Sequence, residues 1–295
     1  MAGHHLRESF FIFIFLISSV KTQESEQLTD MEAIKDALLA GYPLKYFADY
    51  TKCARTPVVT IPGVDIEEPS DYGTTIDSFR GLRDVTGAVV QLTFTTTEVV
   101  DFPGIPEHVI VYSTIQAFPD GRVTSTTQYI ERDGLMEVGN SINNCALNDG
   151  SNGEGVFIYK NTFLNPVRLT TYEDIESSFI DGYSIRYMAV FTKCGEFNTG
   201  FDTLGGGLIP LYYLKRGEKI IASIAKFYNS PFALNQYVVD TFKVDIWKNM
   251  TMQVALSAIS VDDFSQRYTD EVYNCPLIVQ TQPPPAVVFR MAPRT

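Results

Sequence analysis

The sequence predicts an α+β, β-rich protein built from two tandem copies of one domain. Each copy is a short N-terminal helix packed on a curved antiparallel sheet or partial barrel of about five strands. Three observations predict it. "GYPLKYFADYTKC" at 41–53 returns as "GYSIRYMAVFTKC" at 182–194. The hydrophobic period switches from near 3.6 to 2 just after each of these glycines. Four cysteines stand at matching places in the two halves.

The chain opens with Arg7 ahead of "FFIFIFLISSV", residues 10–20. The run is too short and too early for a membrane span and reads as a signal-peptide core. Cleavage is placed near Thr22, so residues 1–22 form a leader. No later stretch reaches the roughly 18 apolar residues of a membrane helix. The C-terminal "PPPAVVFRMAPRT" lacks the greasy tail of a lipid-anchor signal. The expected product is secreted and extracellular, with no membrane span.

The first copy is placed at 23–147 and the second at 169–277. Residues 28–53 and 169–194, aligned without gaps, agree far more often than average composition allows. Thr29 with Glu32, and Thr170 with Glu173, fit capping boxes that open a helix. Met31, Ile34 and Leu38, matched by Tyr172, Ile175 and Phe179, line one helical face. Gly41 and Gly182 stand where a left-handed C-terminal cap is wanted. A strand follows, its apolar face made by Leu44, Tyr46, Ala48 and Tyr50 in one copy and Ile185, Tyr187, Ala189 and Phe191 in the other.

Further on, 89–99 corresponds to 220–227 and 109–130 to 237–259. The last pair predicts hairpins turning at Pro119-Asp120-Gly121 and Lys248-Asn249-Met250. "NDGSNGEG" (148–155) marks the junction within a linker at 148–168, and "VFIYKNTFLNPVR" reads as a strand bridging the domains. Residues 278–295 read as a Pro-rich, flexible tail near polyproline II.

Four cysteines allow three pairings, and spacing alone does not choose among them. The duplication does: Cys53 pairs with Cys145 and Cys194 with Cys275. Each bond closes a long loop, worth on the order of 4 kcal/mol in the chain-entropy view.

The helix, the "G-x-x-[LI]-[KR]-Y" phrase, the strand ending in cysteine and the "FPDGRVTSTTQ" hairpin together resemble the VirK family, secreted or periplasmic domains of obscure function. The resemblance covers 28–147 and 169–277. It implies a fold and a disulfide and brings no catalytic residue.

A net charge of -12 and a pI near 4.7 speak against nucleic acid, whose phosphates would be repelled. After loss of the leader the single histidine is His108, the one residue on which a Ser-His-Asp hydrolase would have to be built. Paired cysteines leave no thiol nucleophile. Asp65, Glu67, Glu68 and Asp71, and Asp262 with Asp263, match no EF-hand spacing and read as solvated acidic loops, so no metal is expected. "GGG" at 205–207 lacks the Lys-Ser or Lys-Thr of a phosphate loop and reads as a turn or bulge.

Lys52 and Lys193 recur and are candidates for Schiff-base or anion chemistry, beside the reading as polar strand ends. Tyr42 with Tyr183, and Tyr46 with Tyr187, recur as candidate ligand-binding residues, beside a role in the core. Asn249 heads one glycosylation sequon. No cofactor is expected.

The function expected from these residues is non-catalytic binding of an apolar small molecule or an extracellular protein, in a domain interior or in the groove between copies. Two other classes stand beside it: a cofactor-independent, luciferase-type oxygenase of an apolar molecule, and an acidic extracellular matrix or defence protein.

Overall fold

The computed structural model describes residues 25–60, 71–76, 78–84, 88–100, 109–131, 137–148, 155–195, 202–229, 237–260, 267–277 and 282–293. The expected leader, His108, three acids of the 65–71 loop and Asp262 with Asp263 lie outside them.

The first half runs β1 (Ser25–Leu28), α1 (Met31–Leu39), β2 (Leu44–Asp49), β3 (Ala54–Thr60), β4 (Asp71–Thr75), β5 (Ser78–Arg83), β6 (Val89–Val100), β7 (Val109–Ala117), β8 (Arg122–Glu131), β9 (Glu137–Ala146) and β10 (Val156–Asn161). The second half runs β11 (Leu164–Leu169), α2 (Tyr172–Ile180), β12 (Ile185–Ala189), β13 (Asp202–Leu208), β14 (Tyr212–Lys215), β15 (Lys219–Asn229), β16 (Tyr237–Trp247), β17 (Thr251–Ser260), β18 (Arg267–Pro276) and β19 (Ala286–Pro293). The β-rich α+β class is as the periodicity predicts.

Each half holds a small sheet beside its helix, in the orders β1-β10-β2-β4 and β11-β19-β12-β13, and a larger antiparallel one, β5-β6-β7-β8-β9-β3 and β14-β15-β16-β17-β18. The larger sheets have six and five strands, against the predicted five or so. β13 also pairs with β5, which fuses one small and one large sheet into a ten-stranded sheet across the two halves. Both disulfides form as the duplication predicts, Cys53–Cys145 and Cys194–Cys275, each with Cα atoms 4.5 Å apart.

The helices differ from expectation by one residue. Asp30, not Thr29, accepts from the Ala33 amide at 2.8 Å, and Thr171, not Thr170, accepts from Asp174 at 3.1 Å. Starting there keeps Leu28 and Leu169 in strands, where both are buried, and puts an oxygen-bearing residue at the cap. Gly41 and Gly182 adopt φ of +84° and +76°. The amides of Tyr42 and Tyr183 bond back to Ala37 and Ser178, closing Schellman motifs.

Three other expectations are corrected. The linker at 148–168 contains β10, which sits inside the first small sheet between β1 and β2, and β11, an end strand of the second. "VFIYKNTFLNPVR" is therefore two strands rather than one bridge. The tail holds β19, paired on both sides, with β11 and β12. Apolar alternation in "AVVFRM" outweighs the preceding prolines, because extended backbone can join a sheet once it leaves them. "GGG" lies within β13, flanked by β12 and β5, instead of in a turn. A Cβ on Gly206 would fall 2.4 Å from the Tyr187 carbonyl and 2.9 Å from the Phe79 ring, so glycine is what lets these strands meet.

There are two cores. α1 and β2 close the first with Ile34, Leu38, Leu44 and Tyr46 against Leu92, Phe94, Ile115 and Val123. α2 and β12 close the second with Ile175, Phe179, Tyr187 and Phe191 against Val244, Val254 and Met252. The first core also includes Met188, Val190, Leu204, Val287 and Phe289 from the second half. Consequently β12 is buried on both faces, whereas β2 is buried on one.

Candidate functional site

Side chains alternate along β-strands, so the inward face of β6–β9 can be followed row by row from the disulfide. The row at Cys145 is apolar: Leu92, Ala117 and Val123 are its partners. The next row reads Phe94, Ile115, Ser125 and Asn143. The one beyond reads Thr96, Ser113, Thr127 and Ser141, four small polar side chains directly opposite one another across four strands. All four are buried, as are Ser125 and Asn143.

The same rows counted from Cys275 are of different composition. Beyond the row of Ile220, Ile246 and Met252 at Cys275 come Ala222, Val244, Val254 and Tyr273, then Phe242, Leu256 and Glu271. There Phe191 stacks on Tyr273 with ring centroids 4.2 Å apart and fills the space. The first half keeps small polar groups where the second places bulk.

Aromatic residues of β2, β4 and the 3-10 turn at Tyr50–Lys52 face this polar surface. The Tyr50 hydroxyl lies 3.0 Å from Ser125 Oγ and the Tyr72 hydroxyl 3.2 Å from Thr96 Oγ1. Ser113 Oγ and Thr127 Oγ1 are 3.5 Å apart. In these rows both side-chain amide atoms of buried Asn143 stand without a hydrogen-bond partner, while the Tyr46 hydroxyl lies against those of Ser125 and Tyr50. Burial, with Tyr50 nearby, pushes the Tyr46 phenol well above its ordinary value. Burial also raises Tyr50, opposed by its hydrogen bond to Ser125. Both stay neutral donors at physiological pH. The two polar rows contain no charged side chain.

Of the residues singled out by repetition, Tyr46 lies in this site. Tyr187 takes the same place in the second half, where burial raises its phenol among apolar neighbours. Tyr42 and Tyr183 lie outside, under Lys160 and Arg290, each cation about 5 Å from the ring centroid. Lys52 is exposed and paired with Asp49 at 3.4 Å, and exposed Lys193 donates to the Pro283 carbonyl at 2.7 Å. Neither has the burial that a Schiff-base lysine needs. Asn249 is exposed on its hairpin turn, where its side-chain oxygen accepts from the Thr251 amide. Between the halves, Ser78, Phe79, Arg80 and Phe242 line a cleft of about 20 Å³, space for a water-sized group. Among the described residues no three His, Cys, Asp or Glu side chains gather as a metal site, and no helix is long and apolar enough to cross a membrane.

Sequence reasoning missed Thr96, Ser113, Ser125, Thr127, Ser141 and Asn143. For Ser125 and Thr127 the signal is present in the hairpin: "VTSTTQ" puts Ser and Thr on the inward alternation where "MQVALS" puts Val and Leu.

No family model matches the chain, and no curated protein matches it. Among solved structures, a VirK family protein from Legionella pneumophila is similar with 17% sequence identity and a TM-score of 0.37, over 42% of this chain and 98% of that one.

Proposed function

We propose that this is a secreted, disulfide-stabilised binding protein of two VirK-like domains in which the first domain binds a small molecule and the second serves as its packed support. The observation that carries the reading is Asn143: fully buried, with neither amide atom paired. A buried unsatisfied polar group costs about 1–3 kcal/mol, so the two amide atoms of Asn143 are expensive unless something binds them. A ligand with an apolar body and an uncharged edge that both donates and accepts, such as a carboxamide or lactam, would satisfy both. The expectation of a wholly apolar ligand is refined accordingly. Phenols held neutral by burial donate hydrogen bonds and do not abstract protons, which favours binding over an oxygenase reaction. The Asn249 turn is open enough to carry a glycan.

The test is native mass spectrometry of the secreted protein after incubation with an extract of its source tissue, with Asn143→Leu alongside. One discrete small molecule per chain is expected, absent from the variant. Ligand-free, the variant should melt at or above the wild-type temperature, because two orphaned polar atoms have been removed. Retention of the molecule by the variant, or no bound species in either, overturns the reading. Appearance of a chemically altered product would instead favour the oxygenase.

A further inference from the structure

We propose that copies of this chain associate head to tail, through the joint that already connects its two halves. Within the chain, β13 lies beside β5 with Gly205, Gly206 and Gly207 opposite Arg80, Phe79 and Ser78. Behind it, the outer face of β12 and β19 delivers Met188, Val287 and Phe289 to the first core. The Phe289 ring sits where a Cβ on Gly41 would come within 2.7 Å. Buried Arg186 donates to the Ile76 carbonyl at 3.5 Å. One half therefore offers an end strand with an apolar outer face, and the other receives it.

Among the described residues, each partner in this joint has a counterpart at the opposite end with no strand paired to it. In the first half, β4 is the last strand of its sheet and holds Gly73 opposite Phe47, as β13 holds Gly206 opposite Met188. The outer face there carries Lys45, Phe47, Phe157 and Tyr159, where the second half has Arg186, Met188, Val287 and Phe289. The chemistry is the same, a cation beside large apolar groups, yet Phe47 is 38% exposed while Met188 is buried. The Phe47 and Phe157 rings lie 5.8 Å apart, and Phe157 stacks on Tyr159.

In the second half, β14 stands at the end of its sheet in the place that β5 fills in the first. It is bordered by Leu211 and carries Tyr213, 52% and 63% exposed. Gly182, the counterpart of Gly41, has nothing within 4 Å of where its Cβ would be, and exposed Ile180 and Tyr183 flank it. The two leftover surfaces match because the joint inside the chain matches. A sheet end bearing apolar side chains is a template for adding a strand. Here the strand is β4 of a second copy, laid along β14 with Gly73 facing Tyr212. Such a contact is heterologous: each added copy presents the same open end again, so assembly continues unless the rotation closes a ring.

The experiment is sedimentation velocity on the secreted full-length protein at physiological ionic strength, which screens its negative charge, over about 1–300 μM. Phe47→Lys and Tyr213→Lys, both at exposed positions, each remove one surface; near-ultraviolet circular dichroism verifies that they fold as wild type. Wild type should grow past the dimer with concentration, and each variant alone should associate at least about tenfold more weakly. Mixed, the variants should form a dimer and stop, because each retains the surface the other lacks. A wild type monomeric over the whole range overturns the proposal, as does a variant that assembles like wild type or a mixture that stays monomeric.

Discussion

Tyr46 and Tyr187 stand at matching places on β2 and β12, and burial raises the phenol of each, with Tyr50 sharing the effect in the first half. A raised native value makes these groups stabilising below their unfolded value near 10. That contribution is lost as pH climbs through the native values. Stability should therefore decline from about pH 10 upward, and a set of tyrosines should remain protonated until the protein unfolds. Ultraviolet titration of tyrosinate in native and denatured protein checks both; full native ionisation before unfolding would contradict them. Repetition made Tyr46 legible in the sequence. Asn143 was not, because what distinguishes it is the lack of a partner in three dimensions, and no residue pattern encodes that.

The glycines of β13 show how an element is read differently in its context. Locally, three consecutive glycines suggest a turn; between two neighbours they let backbones and an aromatic ring approach closely. Gly206→Ala should cost about 2–4 kcal/mol, since the Tyr187 carbonyl is backbone and the strand itself must shift. Gly73→Ala, with its nearest neighbour 3.5 Å away, should cost less than about 1 kcal/mol. Urea unfolding of both variants measures the contrast, and equal losses would deny glycine its role in the joint. The helices, the strand after each and the long hairpins were legible because each carries its own periodicity and caps. β19 was obscured by the preceding prolines and the break between β10 and β11 by the apolar run across it, and β10 and β19 pair with strands about a hundred or more residues earlier in the chain.

At the scale of the molecule, the first core is completed by Met188, Val287 and Phe289, so the halves are not energetically separate. Calorimetry should record a single cooperative transition, and Ile175→Ala, costing about 2–5 kcal/mol in the second core, should also lower amide protection around α1. Two independent transitions, or first-half protection left unchanged, would argue for autonomous domains. The sequence carried a hint of this dependence, since Asp49 at the end of β2 is answered by Val190, a buried apolar residue of the first core. The position of β19 also bears on biosynthesis. A chain synthesised from its N-terminus emerges with its first core unfinished, and the strand that completes it is among the last parts made. Until Phe289 follows, the nascent protein leaves the surface beside Gly41 uncovered, and truncation before residue 286 would leave both halves open at once.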